Sequence, residues 1–442
     1  MSPHVLRVAA LFRDISVHLN AKRPRLAKTI QSSWDRQPWM TAPPVLRLFE
    51  VLGAPNIDAR FVGGCVRNAV MGLEVGEIDV ATPEKPGQVL DRLSSAGLKA
   101  VPTGLKYGTI TAIVDGISFE ITSLRRDTSC DGRHADVEFT GDWQQDLRRR
   151  DFTMNAMSLR PDGMLFDDHG GIKDAKAGRV RFVGDAADRI QEDYLRILRL
   201  FRFFAWYGRV PIDKSTIIAC RAELSGLKYL SAERIKQEII KTLSAPKPTL
   251  AVMAMHSCGV LQAVLPEVTS LSALGALVEV ESEVPLFPAD GIRRLAALIP
   301  VLATTDVAQR FKLSNVEQAR LRALNKNDLK AFKNYGCAEL HRRLYELGKA
   351  AVVDQVLLAW SQSLIVADSD VRFWRELLDE AVRWNPRHFP LTGEDVLALG
   401  VPQGPEVGEH LTAVEKYWID AGFAPSRSSL LAELSRRVEG QT

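Results

Sequence analysis

No stretch of this 442-residue chain approaches the ~20 consecutive apolar residues that a membrane-spanning helix needs, and the longest candidate, Leu295–Thr304, falls far short. Cysteine is scarce. Cys65, Cys130, Cys220, Cys258 and Cys337 lie far apart, at no zinc-like spacing and in odd number, which argues against a disulfide framework and fits a reducing compartment, here the cytoplasm. Neither sign of charge dominates: 57 basic against 54 acidic residues leave +3, so bulk charge does not mark a polyanionic partner. Repeats and low-complexity tracts are missing too. With 46% hydrophobic and 25% charged residues the composition is that of a folded, soluble protein, and the length suggests about three units.

The first forty residues carry Arg7, Arg13, Lys22, Arg23, Arg25, Lys28 and Arg36 against Asp14 and Asp35, with no long apolar core. That excludes a secretory signal. The composition also suits an organellar transit peptide, but the preferred reading is a peripheral basic extension over residues 1–40. After Pro43-Pro44 an amphipathic helix (Val45, Leu46, Leu48, Phe49, Leu52) leads into short apolar runs separated by turns. Strands are expected at Arg60–Val62, Glu77–Ala81 and, as a hairpin turned at Asp115-Gly116, at 108–114 and 118–123. Helices are expected over Cys65–Met71 and Gln88–Ala96. From Asp185 onward the periodicity is helical almost throughout, with Ser231 as an N-cap.

Glu77-Ile78-Asp79 places two carboxylates on one face of a strand, where they repel unless a cation lies between them. All-oxygen ligands at this spacing suit Mg²⁺, although an isolated acidic pair is also an ordinary solvated strand end. Ten residues earlier, Phe61-Val62-Gly63-Gly64-Cys65-Val66-Arg67 reads as a strand, a two-glycine turn and a helix start. Its free N–H groups, with Gly64 and Arg67, would face a phosphate; tight packing alone explains such a turn equally well. Asp193, Arg196, Arg199 and Arg202 follow at three-residue steps and form a stripe along one expected helix, amid Phe201, Phe203, Phe204 and Trp206. A solvated, salt-bridged face has the same pattern.

Taken together, Gly63–Arg67, Gly76-Glu77-Ile78-Asp79-Val80-Ala81-Thr82, Arg149–Ala156, Glu192-Asp193-Tyr194-Leu195-Arg196 and Leu230-Ser231-Ala232-Glu233-Arg234-Ile235 resemble the class II tRNA nucleotidyltransferases, that is, the CCA-adding enzymes and bacterial poly(A) polymerases. Two positions depart from the family pattern: Asn68, where Asp is common, and Glu77, where Asp is commoner. The resemblance implies an α+β chain: a polymerase-β-type head with a mixed sheet at 41–165, then an all-α helical neck at 166–265, body at 266–350 and tRNA-binding tail at 351–442.

It implies catalytic carboxylates at Glu77 and Asp79 holding Mg²⁺, with Glu120 as the candidate third. Arg150, Arg199 and Arg202 would neutralise the triphosphate or orient the base-reading pair. That pair would be Asp193 and Arg196, since a carboxylate accepts from the exocyclic amine of cytosine or adenine and repels the carbonyl of uracil or guanine. The polar stretch 125–140 reads as a mobile loop, which in the family helps the pocket change from C to A addition. His169, in Asp167-Asp168-His169-Gly170-Gly171, reads as a turn residue.

The activity expected is template-independent addition of CCA, from CTP and then ATP, to the 3′ end of tRNA, whose acceptor stem would be the other partner. Poly(A) synthesis, partial CC or A addition and, from a different class, a non-catalytic RNA-binding protein are the alternatives. Intact Glu77, Asp79 and Arg150 oppose the last. The segment Leu391-Thr392-Gly393-Glu394-Asp395-Val396-Leu397 with Gly400-Val401-Pro402-Gln403-Gly404-Pro405 resembles the tail of bacterial CCA-adding enzymes. Arg310, Lys312, Arg320, Arg322, Lys326, Lys330 and Lys333 are candidate phosphate contacts in the body.

Overall fold

A computed structural model describes residues 30–130, 135–325, 332, 336–366 and 370–440. Its ten strands are β1 (Ile30–Ser33), β2 (Arg60–Val62), β3 (Asp79–Thr82), β4 (Lys99–Gly104), β5 (Thr109–Val114), β6 (Ile117–Ser123), β7 (Arg125–Cys130), β8 (Ala135–Phe139), β9 (Met157–Leu159) and β10 (Met164–Asp167). Eight of them form one sheet in the order β1-β10-β9-β2-β3-β6-β5-β4, and β7 pairs with β8 as a separate hairpin. Only β3 and β6 run parallel, so the sheet is mixed as expected.

The β5–β6 turn follows from its sequence: Asp115 and Gly116 both take left-handed φ values, 50° and 82°, as a tight two-residue hairpin needs. On its two strands Ile110, Ala112, Val114, Phe119 and Ile121 alternate into the core. Helices α1 (Pro43–Val51), α2 (Gly64–Met71), α3 (Pro86–Ser95), α4 (Trp143–Arg148) and α5 (Gly171–Ala177) accompany the sheet.

The structure departs from the sequence reading at several points. Residues 30–33, assigned to the basic extension, form the edge strand beside β10, while residues 1–29 lie outside the described residues. Glu77 sits in a bend before β3 rather than within the strand. The stretch read as a mobile loop contains the paired strands β7 and β8.

Beyond residue 185 the described residues are helical: α6 (Ala186–Glu192), α7 (Leu195–Tyr207), α8 (Lys214–Ala222), α9 (Ala232–Leu243), α10 (Pro248–Ser257), α11 (Val260–Val264), α12 (Ser272–Glu283), α13 (Gly291–Leu298), α14 (Thr304–Arg310), α15 (Asn315–Asn325), α16 (Cys337–Leu347), α17 (Lys349–Ile365), α18 (Val371–Arg383), α19 (Gly393–Leu397), α20 (Pro405–Asp420) and α21 (Arg427–Glu439). One continuous hydrophobic core runs from Met40 in the head to Trp384. A second, small core (Leu391, Val396, Val401, Val414, Trp418, Phe423, Leu430, Leu434) belongs to the last three helices, and Tyr345 packs against both. Helices α17 and α18 bury Trp360 and Trp374 in the main core, ahead of that small core.

Candidate active site

The parallel pairing of β3 with β6, two inner strands of the sheet, sets Asp79 at the start of β3 in register with Glu120. Phe119 and Ile121 point into the core, so Glu120 takes the opposite, open face, on the side of Asp79. Partial burial and the negative charges of Glu120 and Glu77 push the Asp79 carboxyl up to about 6, against the opposing pull of Arg150 and Arg67. Glu77 is exposed just upstream.

Among the described residues no three His, Cys, Asp or Glu side chains close on a common point. Asp79 and its neighbours thus form a partial, all-oxygen shell with excess negative charge. A hard divalent cation fits such a shell, completing it with water and phosphate oxygens.

Beside Asp79 the chain turns at Gly63, whose φ of 69° is the left-handed region that favours glycine. A Cβ there would stand 3.4 Å from Asp79 Oδ2 and 3.7 Å from Arg150 Nη1, so the turn lies between the carboxylate and the guanidinium. Gly64 then opens α2. Arg67, one turn into α2, is buried. Its Nη1 donates to Asn155 Oδ1 (2.8 Å), its Nη2 to Asn68 Oδ1 (2.9 Å) and the Tyr207 hydroxyl (2.8 Å), and its guanidinium lies 4.2 Å from the Tyr207 ring centre. Asn68 is thereby explained: its oxygen accepts from Arg67 while its amide donates to Glu74 O (2.9 Å).

Arg150 is held differently. Its Nε and Nη2 donate to Asp146 Oδ2 at 3.2 and 3.1 Å.

The stripe expected along one helix is broken. α6 ends at Glu192, Asp193 is extended (φ −152°, ψ 106°), and α7 begins at Leu195. Asp193 therefore stands in the gap, where its Oδ1 accepts from Leu195 N (3.0 Å) and its Oδ2 from Arg234 Nη2 (2.7 Å). Arg196 is not its partner: it is bound by Glu192, by Arg189 O (2.9 Å) and by Arg149 O (2.8 Å). Three of the five guanidinium N–H groups are so engaged, leaving two to donate elsewhere.

Arg199 pairs with Asp151 (Nε to Oδ2, 2.8 Å), and Arg202 with Glu238 (2.6 Å) while lying 4.5 Å from the Phe203 ring centre. Sequence reasoning gave no role to Asp146, Asp151, Glu192, Arg234 or Glu238. Arg234 and Glu238 stand one turn apart on α9, whose N-cap at Ser231 was legible, so their shared face was the available signal.

Asp151 tests how much this scaffold depends on its charges. Burial alone would raise its carboxyl, but Arg199, Asn155 and the Phe152 N–H more than offset that and bring it down to about 2. Because the folded value lies below the unfolded one, its contribution to stability is present above about pH 4 and is lost as pH falls toward 2. Asp151→Ala is expected to cost about 3 kcal/mol at pH 7, since it strands the Arg199 charge. Urea unfolding should show the gap to wild type shrinking below pH 4; a gap independent of pH would refute the assignment.

Of the four candidate phosphate contacts in the body that lie among the described residues, three are paired with carboxylates. Arg310 binds Glu267 (2.6 and 2.7 Å), Lys312 binds Glu233 (2.7 Å), and Arg320 binds Asp354 and Asp290. Arg322 reaches Gln318 (3.5 Å). Lys326, Lys330 and Lys333 lie outside the described residues. His169 is in the turn between β10 and α5 as expected.

A carboxylate pair on two inner strands beside a glycine turn and an arginine suits a nucleotidyltransferase, and comparison with known proteins shows that class. The family model described as "Poly A polymerase head domain" matches residues 59–181, and that described as "Probable RNA and SrmB- binding site of polymerase A" matches 210–271. Mitochondrial CCA tRNA nucleotidyltransferase 1 of Mus musculus is 34% identical over 408 residues, covering 88% of this chain and 89% of that protein.

Two solved structures share the fold. That of the Bacillus stearothermophilus CCA-adding enzyme in complex with CTP has a TM-score of 0.70 at 23% identity, covering 92% of this chain and 99% of that one. That of the Thermotoga maritima CCA-adding enzyme complexed with tRNA has a TM-score of 0.61 at 21% identity, covering 90% and 97%. The chain belongs to the CCA tRNA nucleotidyltransferase family. Among its described residues no helix is long and apolar enough to cross a membrane.

Proposed function

We propose that this protein adds CCA to the 3′ end of tRNA without a nucleic-acid template, using CTP and then ATP and releasing pyrophosphate. The reading rests chiefly on one juxtaposition: the Asp79–Glu120 register beside Gly63 and Arg150, with Asp193 and Arg196 presented at a break between two helices. The names of its relatives support it. Residues 41–165, with β1, would carry the chemistry, 166–265 the nucleotide selection, and 266–350 and 351–442 the contacts with the tRNA acceptor stem. We keep the cytoplasm as its compartment on the strength of its free cysteines, Cys65, Cys220, Cys258 and Cys337.

Glu77 and Asp79, joined by Glu120, would hold Mg²⁺, which when bound offsets the triphosphate's charge and lowers the pKa of the attacking hydroxyl. The reaction is in-line displacement at the α-phosphate by the tRNA 3′-hydroxyl. Arg150, whose Nη1 lies beside Gly63, neutralises the triphosphate, while Arg199 and Arg202 act from behind their carboxylate partners. Arg67 acts at second hand, tying α2 to Asn155 and Tyr207.

Selection follows from immobility. Asp193 is clamped by Arg234 and by the N–H of Leu195, yet its carboxylate retains lone pairs for an exocyclic amine, and Arg196 retains two N–H groups for a ring nitrogen or carbonyl. Neither side chain can swing to suit uracil or guanine.

The test is incubation with tRNA lacking its 3′ end, Mg²⁺ and each nucleoside triphosphate singly and in pairs. Two C residues with CTP, a terminal A only after them, and no product from UTP or GTP are expected. Runs of A from ATP alone would favour poly(A) synthesis, and no product at all a non-catalytic role.

A further inference from the structure

Asp146 is the most thoroughly engaged carboxylate near the site, and nothing in the proposed chemistry uses it. It lies on α4 with 1% of its surface exposed. One oxygen, Oδ1, accepts from Arg149 Nε (2.9 Å) and Nη2 (2.7 Å) and from the backbone N–H of Arg125 (3.3 Å), the first residue of β7. Arg149 Nε also donates to Arg125 O (3.2 Å), so both backbone groups of Arg125 are held. The other oxygen, Oδ2, accepts from Arg150 Nε and Nη2.

The ends of the β7–β8 hairpin are fastened to the catalytic strand as well. Leu124 N donates to Thr82 O (2.9 Å) at the end of β3, and Thr140 N to Leu124 O (2.9 Å). Leu124 packs with Val62, Ala81 and Trp143 in a small core of their own. The hairpin root and the guanidinium beside Gly63 thus meet on one planar carboxylate. That group is kept ionised despite a burial that opposes charge, because Arg150 and Arg149 pull it below its ordinary range.

We propose that Asp146 is a positioning residue that locks Arg150 to the root of the β7–β8 hairpin, so that the orientation of the triphosphate-facing arginine depends on the placement of the hairpin. The proposal rests on the reading of Arg150 as a triphosphate contact. A carboxylate is rigid: a shift of the hairpin root that drags Oδ1 rotates Oδ2 with it. The two-pronged grip, Nε and Nη2 on one oxygen, leaves Nη1 on the side of Gly63, 3.7 Å from where a Cβ there would stand. Without it Arg150 must be ordered by the nucleotide itself, which weakens binding rather than slowing the bound reaction.

The experiment compares wild type, Asp146→Asn, Asp146→Glu and a form with residues 127–137 replaced by two glycines, alone and combined with Asp146→Asn. KM and kcat for CTP and ATP are measured, together with equilibrium binding of each nucleotide. Asp146→Asn is expected to raise KM and Kd about tenfold with kcat within about threefold, and Asp146→Glu to recover part of the loss. Shortening the hairpin should raise KM in wild type but by less than about twofold in the Asp146→Asn background, because the link is already cut.

KM unchanged or lowered in Asp146→Asn, or effects that simply multiply, would overturn the proposal; a fall in kcat alone would mark Asp146 as merely structural. Should Asp146→Asn fail to fold by circular dichroism, Arg149→Gln carries the same test, with about a threefold rise expected. A wild type that binds nucleotides but transfers none would refute the proposed activity, and the Kd series would still decide the coupling.

Discussion

Asp79→Asn is expected to abolish nucleotide addition and, with divalent cations chelated, to raise the melting temperature at pH 7. The two effects share a cause. Asp79 is set by β3 against Glu120 and near Glu77, and its carboxyl, pushed up to about 6 from an ordinary 3.8, resists ionisation. A folded value above the unfolded one means that the native state holds an extra proton between about pH 4 and 6. Stability therefore falls as pH rises through that window, and the penalty is complete above it.

Asparagine removes the penalty. Allowing for the solvent that still reaches Asp79, the gain is about 1–2 kcal/mol, or a few degrees. It also replaces the carboxylate proposed to hold Mg²⁺ with a neutral amide, and since such a metal supplies several kcal/mol of charge stabilisation in the transition state, the rate should fall about a thousandfold or more. Mg²⁺ should raise the melting temperature of wild type and not of the variant. Wild-type activity in Asp79→Asn, or a melting temperature lowered at pH 7 and insensitive to pH, would contradict the site.

The second large effect concerns base choice. Asp193→Ala should reduce use of CTP and ATP while relaxing exclusion of UTP and GTP, because it deletes both an acceptor for the amine and a repulsion toward the carbonyl. Each base contact is worth about 1–3 kcal/mol, so discrimination should drop roughly ten- to a hundredfold. Arg196→Ala should impair C and A alike without admitting U or G. Arg234→Ala leaves the Asp193 carboxylate in place but frees its Oδ2, and an intermediate loss of selectivity is expected. Competition assays with mixed triphosphates measure all three. Unchanged preference in every variant would reduce this part of the neck to scaffold.

What could be read from the sequence was local. The turn at Gly63-Gly64, the hairpin at Asp115-Gly116 and the cap at Ser231 each declare themselves within a few residues, because glycine conformation and capping chemistry act over one turn. The short strands β1, β4, β9 and β10 did not, since strands of three to six residues gain their identity from neighbours far away in sequence. The same limit hid the electrostatic frame. Arg199 meets Asp151 across 48 residues, Arg202 meets Glu238 across 36, and Asp193 meets Arg234 across 41. Three-residue spacing also suggested one helix through Asp193 where there are two. Periodicity reports a face, and it does not register a single extended residue that interrupts it.

The strand order has a consequence for how the chain reaches this state. Ile30 pairs with Asp167 and Asp79 with Glu120, so the edge strand that begins the described chain finds its neighbour only after more than a hundred further residues have been made. Such long loops make closure slow relative to local helix formation. During synthesis β2 and β3 emerge early, but one flank of β2 stays open until β9 leaves the ribosome, and β1 stays unpaired until β10 follows. The carboxylates can meet once β6 has emerged, well before the sheet is complete. For that interval the nascent head leaves the outer flank of β2 and the whole of β1 unpaired, two edges open to strands of neighbouring chains until β9 and β10 are made.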